Sequence, residues 1–341
     1  ASWHSFNQMI ICYHRSSSLG TFEFCQMKYF FQYVLGFKDR TNKKALMGTI
    51  VHRALQVLGD KKVAITNGKE KVENDDIRDL TLEECDDIDA ITKLCFDHYL
   101  AHEKDVTLDK KELKTCTNWV YKALAYKNGQ LDPRNQDIFA TEQFFDIEIK
   151  KDWAKYDYEV NGEKISGYLS IKGTVDVIAK EGEKYFQVLD YKTGRRLNWA
   201  TGEEKTYEDL QKDKQLLLYY YALKNLYPDW SFYVSIYYIN DGGIFDLVFD
   251  ESDYEKAEQI LKEKFQDIKN NKVPRQLSKE QAHWKCQKLC KFSETFEDTG
   301  KNACQHFHDM IQSKGIDYVT EKYADISRIT KYGDGGGRMA D

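Results

Sequence analysis

The chain has 341 residues, of which 41% are hydrophobic and 31% charged, and its formal net charge is −6. This length suffices for one large domain or two with a real core, and no apolar run approaches the ~18 residues needed to span a bilayer. Such a composition excludes a polyanion binder coated in lysine, although one local basic channel remains compatible with it.

The amino terminus and the cysteines predict the compartment. Residues 1–11 lack the basic start and the long apolar centre of a signal peptide, so we expect a cytoplasmic protein without a membrane partner. In that compartment the eight cysteines favour thiols or metal ligands over disulfides.

The first part of the chain predicts helices. Residues 16–35 open with serines able to cap a helix and continue as an aromatic-rich helix containing Cys25. A second helix is predicted over residues 45–58, with His52 off its buried stripe and on the same side as Gly48. A glycine there would let another group or a ligand come close. Residues 60–137 predict a helical insertion with a solvated acidic face.

The pattern then changes to strands, and two of them carry charged residues in a regular arrangement. KYFQVLDYKTG places Asp190 and Lys192 two positions apart, hence on one face of a strand. IKGTVDVIAK carries Asp176, and the turn at residues 181–183 has the length and the glycine of a tight hairpin. Asp176 is therefore expected within a few residues of the position that faces Asp190.

Two carboxylates so placed predict a site for Mg²⁺ or Mn²⁺, since hard cations prefer anionic oxygen ligands. A lysine beside them can orient or deprotonate an attacking water, which is the chemistry of metal-assisted phosphodiester hydrolysis. The alternative is a solvated Asp–Lys ion pair worth about 0–1 kcal/mol.

The remaining chain predicts a helix over residues 207–226, two strands over 231–239 and 244–249, and a helix over 251–270. A cysteine-containing tail and a glycine-rich end that we expect to be disordered follow. We predict four regions: helices with Cys25 and His52 (1–59), the helical insertion (60–137), an α/β core (138–275) and a cysteine-cluster region with a flexible tail (276–341).

The order of these features resembles the RecB-like branch of the PD-(D/E)xK nuclease superfamily: a helix with His52, a strand with Asp176, the Asp190-x-Lys192 strand, and a helix with Gln215-x-x-x-Tyr219. The resemblance implies a restriction-endonuclease-like α/β core, with a mixed central sheet flanked by helices. It implies that His52, Asp176, Asp190 and the backbone carbonyl of Tyr191 ligate the metal. Lys192 would position the water, while Gln215 and Tyr219 would support Lys192 and contact DNA.

Two arginines follow the lysine directly. Arg195 and Arg196 are candidates to bind phosphates of the cleaved strand. The alternative is a pair of solvated arginines after a strand.

Four cysteines resemble the one-plus-three arrangement of the iron–sulfur RecB-like nucleases, which include the AddB nuclease domain and the CRISPR-associated RecB-like exonuclease. The resemblance implies a 4Fe–4S cluster on Cys25, Cys286, Cys290 and Cys304, which would staple the two ends of the nuclease together. The carboxy-terminal gaps are three and thirteen residues, longer than the family pattern. A zinc site of the last three cysteines with His306 or His308 is the alternative.

We therefore expect a metal-dependent DNA nuclease, with an exonuclease on single-stranded or free DNA ends favoured. A structure-specific endonuclease on the same core is the second hypothesis, and a non-catalytic DNA-binding or scaffold module of a recombination complex is the third. The chain has no GxxxxGK[ST] phosphate loop, so a helicase partner would have to supply any ATP-driven step. A recombination or integration protein is the other partner that we consider.

Overall fold

The computed structural model describes residues 7–198, 201–326 and 329, with the side chain of His283 excepted. The glycine-rich end, which the sequence predicts to be disordered, lies outside the described residues.

Side chains cap the first turns of several helices. Asn42 accepts a hydrogen bond from the Ala45 amide at the start of α3, and Asp250 and Ser278 form capping boxes at α8 and α9. The helices are α1 Ser16–Phe24, α2 Gln26–Tyr29, α3 Lys43–Thr66, α4 Ile88–His102, α5 Lys110–Ala125, α6 Tyr207–Gln211, α7 Lys214–Leu226, α8 Glu251–Lys269, α9 Lys279–Leu289, α10 Ala303–Lys314 and α11 Ile316–Tyr323.

Within the described residues, six strands form one mixed sheet and two short hairpins stand apart from it. Strand β7 pairs antiparallel with β4 and β8, whereas β8 pairs parallel with β9. The strands are β1 Tyr13–His14, β2 Lys71–Val72, β3 Leu80–Thr81, β4 Ile138–Glu148, β5 Lys155–Val160, β6 Glu163–Tyr168, β7 Ser170–Lys180, β8 Tyr185–Lys192, β9 Ser231–Tyr238 and β10 Gly243–Leu247.

Strands β7 and β8 separate like a fork, and this opening positions the site. Their pairing runs from Lys180 opposite Phe186 to Val177 opposite Leu189 and stops there. The start of β7 pairs instead with β1, at Ser170. The register thus puts Asp176 and Asp190 opposite each other, one step beyond the last paired residues.

Each face of the sheet has its own hydrophobic core. One core joins α3 and the insertion helices to a sheet face that includes Leu189 and Tyr237. The other joins α1, α2, α7 and α8 to the opposite face, which includes Val188 and Ile236. The fold is therefore a mixed sheet between helical layers, as the sequence predicted.

Three predicted helices have different bounds. The helix expected over residues 16–35 breaks at Cys25, whose φ of −158° and ψ of 116° are extended. The helix expected over 45–58 continues to Thr66, through the expected boundary at residue 59. The helix expected over 207–226 is interrupted at Lys212, because Asp213 caps a new helix. Apolar periodicity could not locate these breaks, since it continues across them.

None of the helices in the described ranges combines the length and apolar composition that crossing a membrane requires.

Candidate active site

The two acids at the fork are held by backbone and strand register. Asp176 Oδ2 accepts a hydrogen bond of 2.7 Å from the amide of Tyr191, the residue between Asp190 and Lys192. Asp190 itself is 5% exposed. The register therefore places both acids side by side at the opening of the fork, where the sequence had located them only approximately.

His52 reaches this point from α3. Its Nδ1 atom lies 3.2 Å from Asp176 Oδ1. A Cβ added to Gly48, one turn earlier on α3, would lie 2.8 Å from the Thr193 hydroxyl oxygen. The glycine thus allows the end of β8 to approach α3, and the group that comes close is Thr193.

Lys192 closes a ring of polar contacts with Asp190, Gln215 and Tyr219. Its ammonium lies 2.9 Å from Asp190 Oδ2 and donates a 3.2 Å hydrogen bond to Gln215 Oε1. Gln215 Nε2 donates to the Tyr219 hydroxyl at 2.9 Å, and that hydroxyl donates to Asp190 Oδ1 at 3.3 Å. Because Gln215 and Tyr219 are one helical turn apart on α7, one helix face orients both the lysine and the acid.

Burial and mutual charge shift the pKa values of the three charged groups in the fork. Burial disfavours ionisation of Asp176, but His52 and the Tyr191 amide outweigh it and hold the pKa of Asp176 below its ordinary value. Burial raises the pKa of Asp190, and Asp176 adds to this effect while Lys192 opposes it. Burial alone would lower the pKa of Lys192, yet Asp190 and Asp176 raise it. Two acids of unequal proton affinity thus face one ammonium group.

The donor set of the fork suits a hard divalent cation. Asp190 Oδ2 is buried and lies 2.9 Å from the Lys192 ammonium. Asp176, on the neighbouring strand, contacts His52 at 3.2 Å, and two carboxylates with an imidazole are ligands that such a cation accepts. No group of three or more His, Cys, Asp or Glu side chains is arranged as a ready-formed metal site in residues 7–198, 201–326 and 329.

Residues 16–295 match the family model described as the PD-(D/E)XK nuclease superfamily. The chain belongs to this superfamily. Membership implies a nuclease that binds DNA, and nucleases of this superfamily use divalent metals such as Mg²⁺. No curated protein matches the chain.

Asp213 is a further residue near the site of this PD-(D/E)XK protein, and the sequence motifs did not identify it. Asp213 caps α7 by accepting hydrogen bonds from the amides of Gln215 and Leu216, and its Oδ2 atom lies 3.2 Å from the Lys205 ammonium. The cap fixes the start of the helix that aims Gln215 at Lys192. An aspartate just before an apolar helix is a recognisable N-cap, so the sequence carried this signal.

The two arginines after the lysine have different surroundings. The guanidinium of Arg196 lies 4.6 Å from the centre of the Phe245 ring, pairs with Glu204 and donates to the Lys205 carbonyl. Arg195 is exposed. Contacts with β10 and within its own loop therefore already engage Arg196, and Arg195 is the better candidate for DNA.

The four cysteines of the predicted cluster lie in one region, where the thiols of Cys25, Cys286 and Cys290 influence the pKa of Cys304. The Cys304 sulfur accepts a 3.3 Å hydrogen bond from Gln276 Nε2. Among the described residues, no three of these thiols are arranged as a ready-formed metal site. Burial raises the pKa of Cys286, that of Cys290 to about 11 and that of Cys304 to about 12.

The two histidines of the zinc alternative lie on α10 with Cys304. The ring of His306 stacks on Phe296, with centroids 5.3 Å apart. Cys12, Cys85, Cys95 and Cys116 are buried thiols elsewhere in the fold.

Proposed function

We propose that this PD-(D/E)XK protein is a Mg²⁺- or Mn²⁺-dependent deoxyribonuclease of the RecB-like branch that digests single-stranded DNA from free ends. The observation that carries the proposal is the position of the Lys192 ammonium, between the Asp190 carboxylate and the Gln215 amide. A merely solvated ion pair would not have its carboxylate buried, nor its ammonium held by a second helix.

The side chains of His52, Asp176 and Asp190, with the backbone carbonyl of Tyr191, would hold the divalent cation. When bound, that cation supplies charge stabilisation to the reacting phosphate. His52 and Asp176 already contact each other at 3.2 Å, so they would bind it without a large rearrangement of α3 relative to the sheet.

Lys192 would orient the attacking water through a hydrogen bond. The water oxygen forms a bond to phosphorus as the bond to the bridging oxygen breaks. One proton of the water ends on the leaving oxygen, and the other passes to solvent. Gln215 keeps the Lys192 ammonium directed into the fork, and Tyr219 keeps Asp190 from rotating out of it. Arg195 would hold a phosphate of the same strand.

Linear and circular single-stranded DNA test the proposal. Wild-type protein with Mg²⁺ or Mn²⁺ should degrade the linear form and leave the circle intact, while Asp190→Ala degrades neither. Cleavage of the circle would favour a structure-specific endonuclease on the same core. If purified wild-type protein hydrolyses no DNA with either metal, the protein is a DNA-binding or scaffold module.

We further propose that Cys25, Cys286, Cys290 and Cys304 hold a 4Fe–4S cluster that staples the carboxy-terminal region to α1 and α2. Helix α9 supports this, because none of its described side chains is buried and packing alone anchors such a helix poorly. Thiolates at Cys286, within α9, and at Cys290, just after it, would attach the helix to the cluster at two positions.

The visible spectrum and metal content of anaerobically purified protein test the cluster. A brown protein with about four irons per chain supports it. Colourless protein with one zinc would instead favour the trio with His306 or His308, and protein with neither metal would leave the four residues as free thiols.

A further inference from the structure

Helix α9 presents an aromatic and basic face away from the cysteines. Trp284 is 43% exposed, and Lys288 follows it one helical turn later, also exposed. Cys286 lies two residues from each, and two residues correspond to about 200° around a helix. Trp284 and Lys288 therefore point away from Cys286, and Glu280 is the only acidic residue in the helix.

Exposed cations continue from this face toward α3. They are Lys38, Lys44, Lys288 and Lys291, and all four are exposed. None of these lysines makes an ion pair among the described residues. Three nearby acids are each neutralised by a different cation: Asp39 by Lys28 at 2.7 Å, Glu294 by Arg40 at 3.0 Å and Glu112 by Lys43 at 3.2 Å. An acidic chain thus carries a local surface with excess positive charge.

Backbone contacts join the two parts of this surface. The Lys291 amide donates to Asp39 Oδ1 at 2.9 Å, and Arg40 Nη2 donates to the Cys290 carbonyl at 3.1 Å. The loop that contains Asp39 and Arg40 leads directly into α3. Along that helix, His52 lies about 12 Å from Lys44, given a rise of about 1.5 Å per residue. Helix α3 thus links this surface to the fork.

We propose that the surface formed by Trp284, Lys288, Lys291, Lys38 and Lys44 is a docking surface for single-stranded DNA that leads the strand to the fork. The inference rests on the proposed nuclease function and adds where the strand binds. An exposed indole can stack on an unpaired base, and unpaired lysines attract the phosphates on either side of it. A duplex offers no free base face to Trp284, so the indole selects single strands.

The test uses equilibrium binding to a fluorescein-labelled 20-mer of thymidylate and to a blunt 20-base-pair duplex, in the Asp190→Ala background to prevent digestion. Trp284→Ala should weaken single-strand binding about tenfold or more, and Trp284→Phe should retain most of the affinity. Neither variant should change duplex binding.

The lysines are tested by salt dependence. Lys288→Ala/Lys291→Ala should reduce the slope of log affinity against log salt by about 0.7 per lysine. Two matched controls lie on other surfaces: Tyr185→Ala, exposed like Trp284, and Lys150→Ala/Lys262→Ala, exposed between β4 and β5 and on α8. Both should bind single strands as the parent protein does.

Failure of the docking surface can be told apart from failure of the nuclease function. If wild-type protein digests DNA while the Trp284 and lysine variants bind single strands at parent affinity, the docking surface is wrong and the nuclease function is supported. If those variants lose binding but wild-type protein digests nothing, the docking surface is supported and the nuclease function is wrong. Equal losses on single strands and duplex would exclude the stacking role of Trp284.

Discussion

The ammonium of Lys192 lies 2.9 Å from the buried Oδ2 atom of Asp190. The two residues lie two positions apart on one face of β8, so the strand brings them together. Helix α7 determines where the ammonium points. Gln215 and Tyr219 hold the two ends of this pair from a single helix face. The catalytic proposal therefore depends on how α7 is placed as much as on the strand motif.

Gln215→Ala should lower kcat about 10- to 100-fold, in the range seen when a group that supports a site residue is removed. The change removes the bonds to Lys192 and to Tyr219, so KM should change less than kcat. Steady-state rates on labelled linear DNA measure both. Gln211→Ala is the matched control, since Gln211 donates to the Val248 carbonyl at 2.7 Å. Equal losses in the two variants would contradict the assigned role.

Gly48→Ala should impair cleavage, because the new methyl group would lie 2.8 Å from the Thr193 hydroxyl oxygen, so that Thr193, next to Lys192, has to shift. Overpacking of this kind costs about 1–3 kcal/mol. The double variant Gly48→Ala/Thr193→Ala removes the clash and should recover much of the lost activity. Gly20→Ala is the control, since a Cβ there meets nothing within 4 Å. Without recovery in the double variant, the impairment has another cause.

Only part of the site could be predicted from the sequence. Alternation along a strand places Asp190 and Lys192 on one face, and hairpin counting brings Asp176 near them, because both rules are local. Contact between His52 and Asp176 joins residues 124 positions apart and depends on packing of α3. The contacts of Arg196 with Phe245 and Glu204 also depend on the folded structure, so the sequence alone could not distinguish Arg196 from Arg195.

His14 should make the fold sensitive to mild acid. The residue is fully buried, and its Nε2 atom lies 3.1 Å from the Leu261 carbonyl while Nδ1 has no hydrogen-bond partner. Burial, with a contribution from the Lys264 charge, lowers the pKa of His14 from 6.5 to about 4. Between those values the unfolded chain binds a proton that the folded chain does not, so stability falls as the pH falls.

The free energy of unfolding should therefore lose up to about 1.4 kcal/mol per pH unit from His14 between about pH 6 and 4. Urea unfolding at several pH values measures it. His14→Gln keeps a donor for the Leu261 carbonyl but does not titrate, so its stability should depend less on pH in this window. An unchanged pH dependence in the variant would show that other groups cause the loss.

Iron removal should release α9 before the rest of the fold unfolds. Treatment with a chelator under oxidising conditions should make trypsin cut at Lys285 and Lys288, while the sheet keeps its secondary structure. Limited proteolysis with mass spectrometry identifies the sites, and Cys286→Ala should give the same cuts without a chelator. Equal protection of α9 with and without metal would argue that packing, and not the cluster, holds the helix.

The most direct test of the active site is the rate at which Lys192→Ala hydrolyses end-labelled single-stranded DNA at saturating Mg²⁺ or Mn²⁺. The account predicts a loss of at least about 100-fold with an unchanged free energy of unfolding. A variant that cuts at the wild-type rate would contradict the assignment of the fork between β7 and β8 as the catalytic centre.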